Sequence, residues 1–347
     1  MASEASGSIE LKGMPLSDLQ ALLVGWGEPP FRARQLMQWL YAKRARSIEA
    51  MTDLPKRLRD RLSAVANVDS LRVQREQRAR DGTLKLLVAL RDGETVECVL
   101  IPQGKRHTAC ISTQAGCGMG CTFCATGLGG LRRNLTSGEI VDQVALLAER
   151  SGQRVSHVVF MGMGEPLANY TQVMGAIRLL NHPLGFGLGM RHITLSTVGL
   201  VPAIRRLAQE RLQLVLAVSL HAATDDKRDR IVPINRRYPI GALMEACREY
   251  VAATGRRVSF EYALIDGFND GPEDADALAE LAAPLRAHVN LIPLNPVPET
   301  GLRRPGPRVI REFASRLRSA HVAVTVRKER GADIEAACGQ LRRRSGG

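Results

Sequence analysis

Aromatic residues make up only 4% of the 347-residue sequence, so any core it buries must be mostly aliphatic. No run approaches the roughly 18 consecutive apolar residues that a membrane-spanning helix requires. The first residues, MASEASGSIELKG, lack the basic start and apolar stretch of a secretion signal, which predicts a cytoplasmic protein. Low-complexity segments and internal repeats are missing apart from the short basic tail Arg342–Arg344. Disorder is excluded as a global reading, since 45% of residues are hydrophobic against 24% charged. Seven cysteines in a chain with no export signal argue against a disulfide scaffold and toward metal or redox chemistry.

Charge is the first positive feature. The 48 Lys and Arg outnumber the 35 Asp and Glu, leaving a formal net charge of +13. Such an excess can steer a protein to phosphates, and nucleic acid is the commonest polyanion. An Arg-rich enzyme from a basic proteome would show the same balance, so charge alone leaves both readings open.

Four regions follow from the pattern of residues. Residues 1–70 read as a small helical accessory unit with an RNA-binding role. Ser17 is placed to cap a first helix carrying Leu19, Leu22, Leu23 and Trp26; a second begins near Phe31, and Asp53 with Pro55 opens a third. Residues 71–102 read as a β-meander linker, with turns at Asp81-Gly82 and Asp92-Gly93, and its last strand carries Glu97. Alternation along that strand places Glu97 outward as a solvated carboxylate. Residues 103–333 alternate strands with helices. The predicted strands are 107–113, 155–161, 192–197, 214–220, 258–264 and 289–294. The predicted helices are 136–150, 170–181, 201–211, 240–254, 272–285 and 307–320. This alternation predicts an α/β fold with a parallel sheet, open or curled into a barrel, whose active site lies at the carboxyl ends of the strands. Residues 334–347 hold Cys338 and the basic tail.

The segment Cys117-Gly-Met-Gly-Cys121-Thr-Phe-Cys124 follows the first strand of this series. Three thiolates cannot close a four-ligand zinc site without help from His107 or a distant cysteine. They suit a [4Fe-4S] cluster with three irons held by protein and one left open. The spacing, with an aromatic before the last cysteine, resembles the radical S-adenosylmethionine superfamily. Met161-Gly-Met-Gly164-Glu165-Pro166, after the second strand, resembles the superfamily's segment for the cofactor's amino group, where the Glu165 carboxylate can pair with the ammonium.

Further segments narrow the resemblance: Val96–Pro102, Cys110–Cys117, Arg133-Asn134-Leu135, Ser219–Ala222, Ile231–Asn235, Asn290–Pro296 and Arg330–Leu341. Together they resemble radical S-adenosylmethionine RNA methyltransferases that methylate carbon 2 of adenosine in 23S ribosomal RNA and in tRNA next to the anticodon. That resemblance covers essentially the whole chain and implies a partial (βα)6 barrel. It implies cofactor contacts from Gly164, Glu165, Ser196, Ser219, Leu220, His221 and Asn295. Two molecules of S-adenosylmethionine are implied per turnover. Cys338 takes a methyl group from the first. The second yields a 5′-deoxyadenosyl radical, which activates that methyl for addition to the ring. Glu97 is the implied general base, and Cys110 releases the product by forming a disulfide with Cys338. An electron donor such as flavodoxin or ferredoxin, a monomeric state and no membrane association are also implied.

Taken singly, Cys110 reads as a buried structural thiol, Cys338 as a stray cysteine, His221 as a satisfied loop histidine and Ser196 as a strand-end cap. Cys98 and Cys247 keep the structural reading. A base edge inside a duplex is out of reach, so single-stranded or flipped RNA is expected. Candidate phosphate contacts are the Arg32–Arg46 region, Arg132-Arg133, Arg236-Arg237, Arg303-Arg304 and the tail. Two alternatives stand beside this reading. Related antibiotic-resistance enzymes methylate carbon 8 with the same cluster and cysteines, although the pattern around Glu97 and the helical N-terminal unit favour carbon 2. A non-catalytic iron–sulfur protein would need neither the Gly-Glu-Pro segment nor two further cysteines.

Overall fold

A computed structural model describes residues 9–342. Ten strands form one sheet: β1 (Arg72–Arg78), β2 (Leu84–Ala89), β3 (Thr95–Gln103), β4 (Arg106–Cys110), β5 (His157–Phe160), β6 (Ile193–Thr197), β7 (Val215–Ser219), β8 (Ser259–Leu264), β9 (His288–Pro293) and β10 (Ala323–Val326). They lie across the sheet in chain order. From β4 to β10 every neighbouring pair is parallel, whereas β1 to β4 run antiparallel. Right-handed crossovers repeated in one direction put all connecting helices on the same face, and the sheet curls around its other face. Among the described residues β1 and β10 do not pair with each other, so the barrel is partial and open between them.

The six predicted strands are all present, with ends shifted by a few residues. The helices Tyr170–Asn181 and Ile240–Thr254 match their predicted spans, and the other four differ only at their ends. A seventh parallel strand, β10, was not predicted: it has only four residues, half-exposed at the sheet edge, and carries no continuous apolar run. The helix Asp225–Ile231 was also missed, because DDKRDRI reads as solvated loop. Ser17 does not cap the first helix. That helix spans Leu16–Gly25 and is entered from Pro15, whose fixed φ supplies the turn, while the Ser17 hydroxyl bonds Asp18. The meander is the antiparallel flank of the main sheet, because β3 pairs with β4 from Val99–Cys110 to Gln103–Arg106. No helix among the described residues is long and apolar enough to cross a membrane.

The N-terminal unit consists of helices Leu16–Gly25, Phe31–Tyr41 and Lys56–Val65, tied by the short parallel pair Ile9–Glu10 and Ala66–Asn67. It docks on helix Ser137–Ser151 through a buried ion pair, Lys12 Nζ to Asp142 Oδ1 at 2.5 Å. Arg46 reaches the same carboxylate at 3.1 Å and Glu149 at 2.7 Å. Contact is close enough that a Cβ on Gly138 would stand 2.3 Å from the Lys12 carbonyl oxygen. Removing one partner of a buried pair leaves an uncompensated charge. Asp142→Ala should therefore weaken this docking by about 3–5 kcal/mol and expose the unit to limited proteolysis. The double variant Lys12→Met/Asp142→Leu should recover most of the loss, as read by thermal melting.

Candidate active site

Strand β4 ends at Cys110, and the chain then enters a two-stranded hairpin, Gln114–Gly116 with Leu131–Asn134, that frames the three-cysteine loop. Gly116 has φ +79°, and a Cβ there would lie 1.9 Å from the Gly130 oxygen, so only glycine closes the hairpin. The Cys117 N–H donates to that same oxygen at 2.9 Å. Cys117, Cys121 and Cys124 all line one cavity. Burial pushes the Cys117 thiol up to about 11 and Cys121 further, and each neighbouring thiol adds to the rise. Thiols become thiolates when a metal supplies the compensating charge. Among the described residues no three His, Cys, Asp or Glu converge as a single metal ion demands. The ligands of a cubane attach to different irons, and three cysteines lining one cavity fit a cluster with one iron left open.

Across the cavity lie the strand-end residues. Gly164, Glu165, Ser196, Ser219, His221 and Asn295 share its wall. Leu220 does not: it is fully buried behind them. The Glu165 carboxylate accepts backbone N–H groups from Leu167 at 2.9 Å and Val198 at 2.8 Å. Burial nevertheless pushes its carboxyl up to about 7. Two backbone bonds leave acceptor capacity on a carboxylate for a ligand ammonium. His221 adopts φ +60°, and its Nδ1 accepts the Ala263 N–H at 3.0 Å. Its proton therefore sits on Nε2, and burial, aided by Arg228, holds its pKa down at about 3. The Phe123 ring packs edge-on against His221 with centroids 4.6 Å apart, joining the cysteine loop to the strand ends.

Arg228, absent from the sequence reading, organises this wall. Its guanidinium is fully buried and donates to the carbonyls of Leu220 at 3.0 Å and Val198 at 2.5 Å, and to Asn235 Oδ1 at 2.7 Å. An arginine among DDKRDRI reads as solvated, so nothing local marked it.

Residues 330–342 follow β10 and cross the open side of the barrel. Asn295 Nδ2 donates to the Cys338 carbonyl at 3.0 Å, the Ala125 N–H to Gly339 at 2.9 Å, and Gln340 Nε2 to Pro296 at 3.0 Å. Asn295, expected to contact cofactor, thus also holds the cysteine segment. Cys338 borders both the cysteine-loop cavity and a larger chamber of about 530 Å³, which Cys110 also lines. Burial pushes Cys110 up to about 12, with the nearby Cys338 adding to it. Cys338 is exposed by its surface area although protein surrounds it closely enough to raise its pKa, and Arg327, also unforeseen, opposes that rise and favours the thiolate. It faces Glu261 Oε2 at 3.7 Å.

Glu97 is not solvated. It is 1% exposed, because residues 330–342 cover that side of β3. Its Oε1 lies 3.2 Å from Lys85 Nζ, and its Oε2 accepts the Arg342 N–H at 2.9 Å. Several candidate phosphate contacts are engaged within the fold: Arg46 with Asp142 and Glu149, Arg133 with Glu139, Arg304 with Glu329, and Arg342 with Glu299. Arg132, Arg236 and Arg237 are exposed, while Arg343 and Arg344 lie outside the described residues.

Comparison with known proteins agrees with this geometry. Residues 9–68 match the family described as Ribosomal RNA large subunit methyltransferase N-terminal domain, and residues 111–282 match the Radical SAM superfamily. The chain is 52% identical over 343 residues to the probable dual-specificity RNA methyltransferase RlmN of Moorella thermoacetica, covering 96% of this chain and 97% of that one. It is 49% identical to the dual-specificity RNA methyltransferase RlmN of Anaeromyxobacter dehalogenans, covering 96% of this chain and 91% of that one. Among solved structures, a radical SAM methyltransferase from Sphaerobacter thermophilus superposes with a TM-score of 0.93 at 49% identity. That match covers 96% of this chain and 99% of the other.

His221 has a folded pKa depressed below the unfolded value of about 6.5. Its contribution to stability is complete above that value and is lost as pH falls from about 6.5 toward about 3, by at most ~1.4 kcal/mol per pH unit. His221→Gln should flatten the fall in stability between pH 7 and 5, measured by denaturant melts. Nitrogen NMR should show Nδ1 unprotonated at pH 6; an imidazolium signal there would contradict the assignment.

Proposed function

Because the chain belongs to the dual-specificity RNA methyltransferase RlmN family of the radical SAM superfamily, we propose that it methylates carbon 2 of adenosine in 23S ribosomal RNA and in tRNA. One observation carries the reading: Cys338 stands between the cysteine-loop cavity and a chamber that Cys110 also lines. A structural thiol needs no second thiol beside it and no cavity on two sides.

Carbon 2 of adenine is electron-poor and does not attack a methyl sulfonium. The methyl must first be carried by a side chain. Cys338, with Arg327 beside it, acts as the thiolate that takes the methyl by displacement. Cys117, Cys121 and Cys124 would hold the [4Fe-4S] cluster, and Gly164, Glu165, Ser196, Ser219, His221 and Asn295 would form the S-adenosylmethionine site, with Leu220 packed behind that wall. When bound, the cluster and S-adenosylmethionine supply the 5′-deoxyadenosyl radical that activates the methyl on Cys338. Glu97 accepts the ring proton. Cys110 then gives up its thiol proton and attacks the Cys338 sulfur; the S–S bond forms as the sulfur–carbon bond breaks, the electron pair stays with the released carbon, which takes up a proton, and the methylated base leaves.

A chamber of about 530 Å³ is of nucleoside size, and a base edge inside a duplex is out of reach, which supports entry of an unpaired adenosine. The N-terminal match and the relatives' shared name favour this reading over carbon-8 methylation. A one-electron donor such as flavodoxin or ferredoxin supplies the electron, and the enzyme acts as a monomer in the cytoplasm.

Cys121→Ala should lose iron and activity while far-UV circular dichroism stays near wild type. Cys338→Ala should transfer no methyl and form no adduct. Cys110→Ala should accumulate a covalent protein–RNA species through Cys338, seen as a nuclease-sensitive shift on denaturing gels. Cluster-loaded Cys110→Ala without that shift, or Cys338→Ala with it, would overturn the roles.

A further inference from the structure

Lys85 and Glu97 are each 1% exposed and sit diagonally on neighbouring strands, Lys85 opposite Val99 and Glu97 opposite Leu87. Long side chains span that diagonal. A buried ion pair is weak support for stability, since a well-packed apolar pair would hold β2 to β3 as well. What an apolar pair could not do is satisfy backbone groups of the irregular segment lying over it. Lys85 Nζ donates to the Glu335 carbonyl at 3.1 Å, and Glu97 Oε2 accepts the Arg342 N–H at 2.9 Å. The two grips fall on either side of Cys338.

Glu97 is anchored from below as well. Its carbonyl accepts the Ser112 hydroxyl at 2.6 Å, and that hydroxyl in turn accepts the Met163 N–H at 2.8 Å. Strand alternation puts Glu97 on the same face as Ile101 and Gln103, which line the larger chamber. The face of β3 that leads into the chamber thus carries Glu97, with the Cys338 segment packed against it.

We propose that the Lys85–Glu97 pair is a clasp that fastens the Cys338 segment at both ends while Glu97 is ionised and loosens when Glu97 takes a proton. This rests on the role given to Glu97 above. A proton passing from the ring carbon to the carboxylate removes its charge. The attraction to Lys85 and the charge-assisted bond from Arg342 then both weaken. Proton removal and freedom of the Cys338 segment become one event, timed to when Cys110 must reach the Cys338 sulfur. Lys85 touches no reacting atom and is a positioning residue.

Amide hydrogen exchange by mass spectrometry, on cluster-loaded full-length protein without RNA, tests the clasp without turnover. Failure here is thus separable from failure to methylate. Glu97→Gln, the uncharged isostere, and the double variant Lys85→Met/Glu97→Leu, which leaves no lone buried charge, should both speed exchange across residues 335–342. Loss of a charge-assisted bond corresponds to roughly tenfold or more. Alkylation of Cys338 by iodoacetamide should accelerate in parallel, while exchange in β2 and β3 stays at the wild-type rate. Unchanged exchange at 335–342 in both variants would overturn the proposal. So would a rise shared equally by β2, β3 and the segment, which would make the pair only a fastener between strands.

Discussion

Backbone that is buried outside long helices and strands must find partners for its N–H and C=O groups, and the partly buried residues 330–342, with one short 3-10 turn at Ala332–Ile334, cross the open side of the barrel under that constraint. Their partners come from the cysteine loop, from the loop after β9 and from the antiparallel flank. Because those partners are otherwise far apart in the fold, the segment joins the cluster cavity, the larger chamber and the Glu97 strand into one site. Cys338 is held at the junction by its carbonyl, leaving its sulfur toward the cavities. Shifting the segment by one residue would present Ala337 or Gly339 instead and strand several buried polar groups.

The net charge of +13 overstates what is available to RNA. Many arginines are committed to carboxylates that fix one part of the fold on another, such as Arg46 across the N-terminal interface and Arg133 at the hairpin. Three cationic groups go further and are almost wholly buried: Lys12, Lys85 and Arg228. Ionic groups placed so deep seldom add net stability over apolar replacements. Each here fixes a geometry, respectively the docking of the helical unit, the ends of the Cys338 segment, and the strand-end carbonyls beside His221.

The parallel strands and their helices were legible because buried parallel strands are nearly continuous apolar runs and the helices carry a clear period. The cysteine loop was legible from spacing alone. What escaped the sequence depends on long-range packing. Glu97 alternates like a surface residue on β3, yet the covering segment is more than two hundred positions away. Arg228 sits in a run of six charged residues and is nonetheless fully buried. Lys85 left a trace that could have been read: it is the one charge in the apolar strand β2, where a lone cation calls for a buried partner.

Chain order has a consequence for how the protein is made. Strands laid side by side in the order of synthesis can pair as they emerge, each βα unit closing on the one before it. The cysteine loop is complete early, but the segment that covers its cavity is translated only after β10. Until residues 330–342 are made, nothing on that side can cover the cavity that the three cysteines line. Closure over the cysteine loop thus waits on the last-made strand of the sheet.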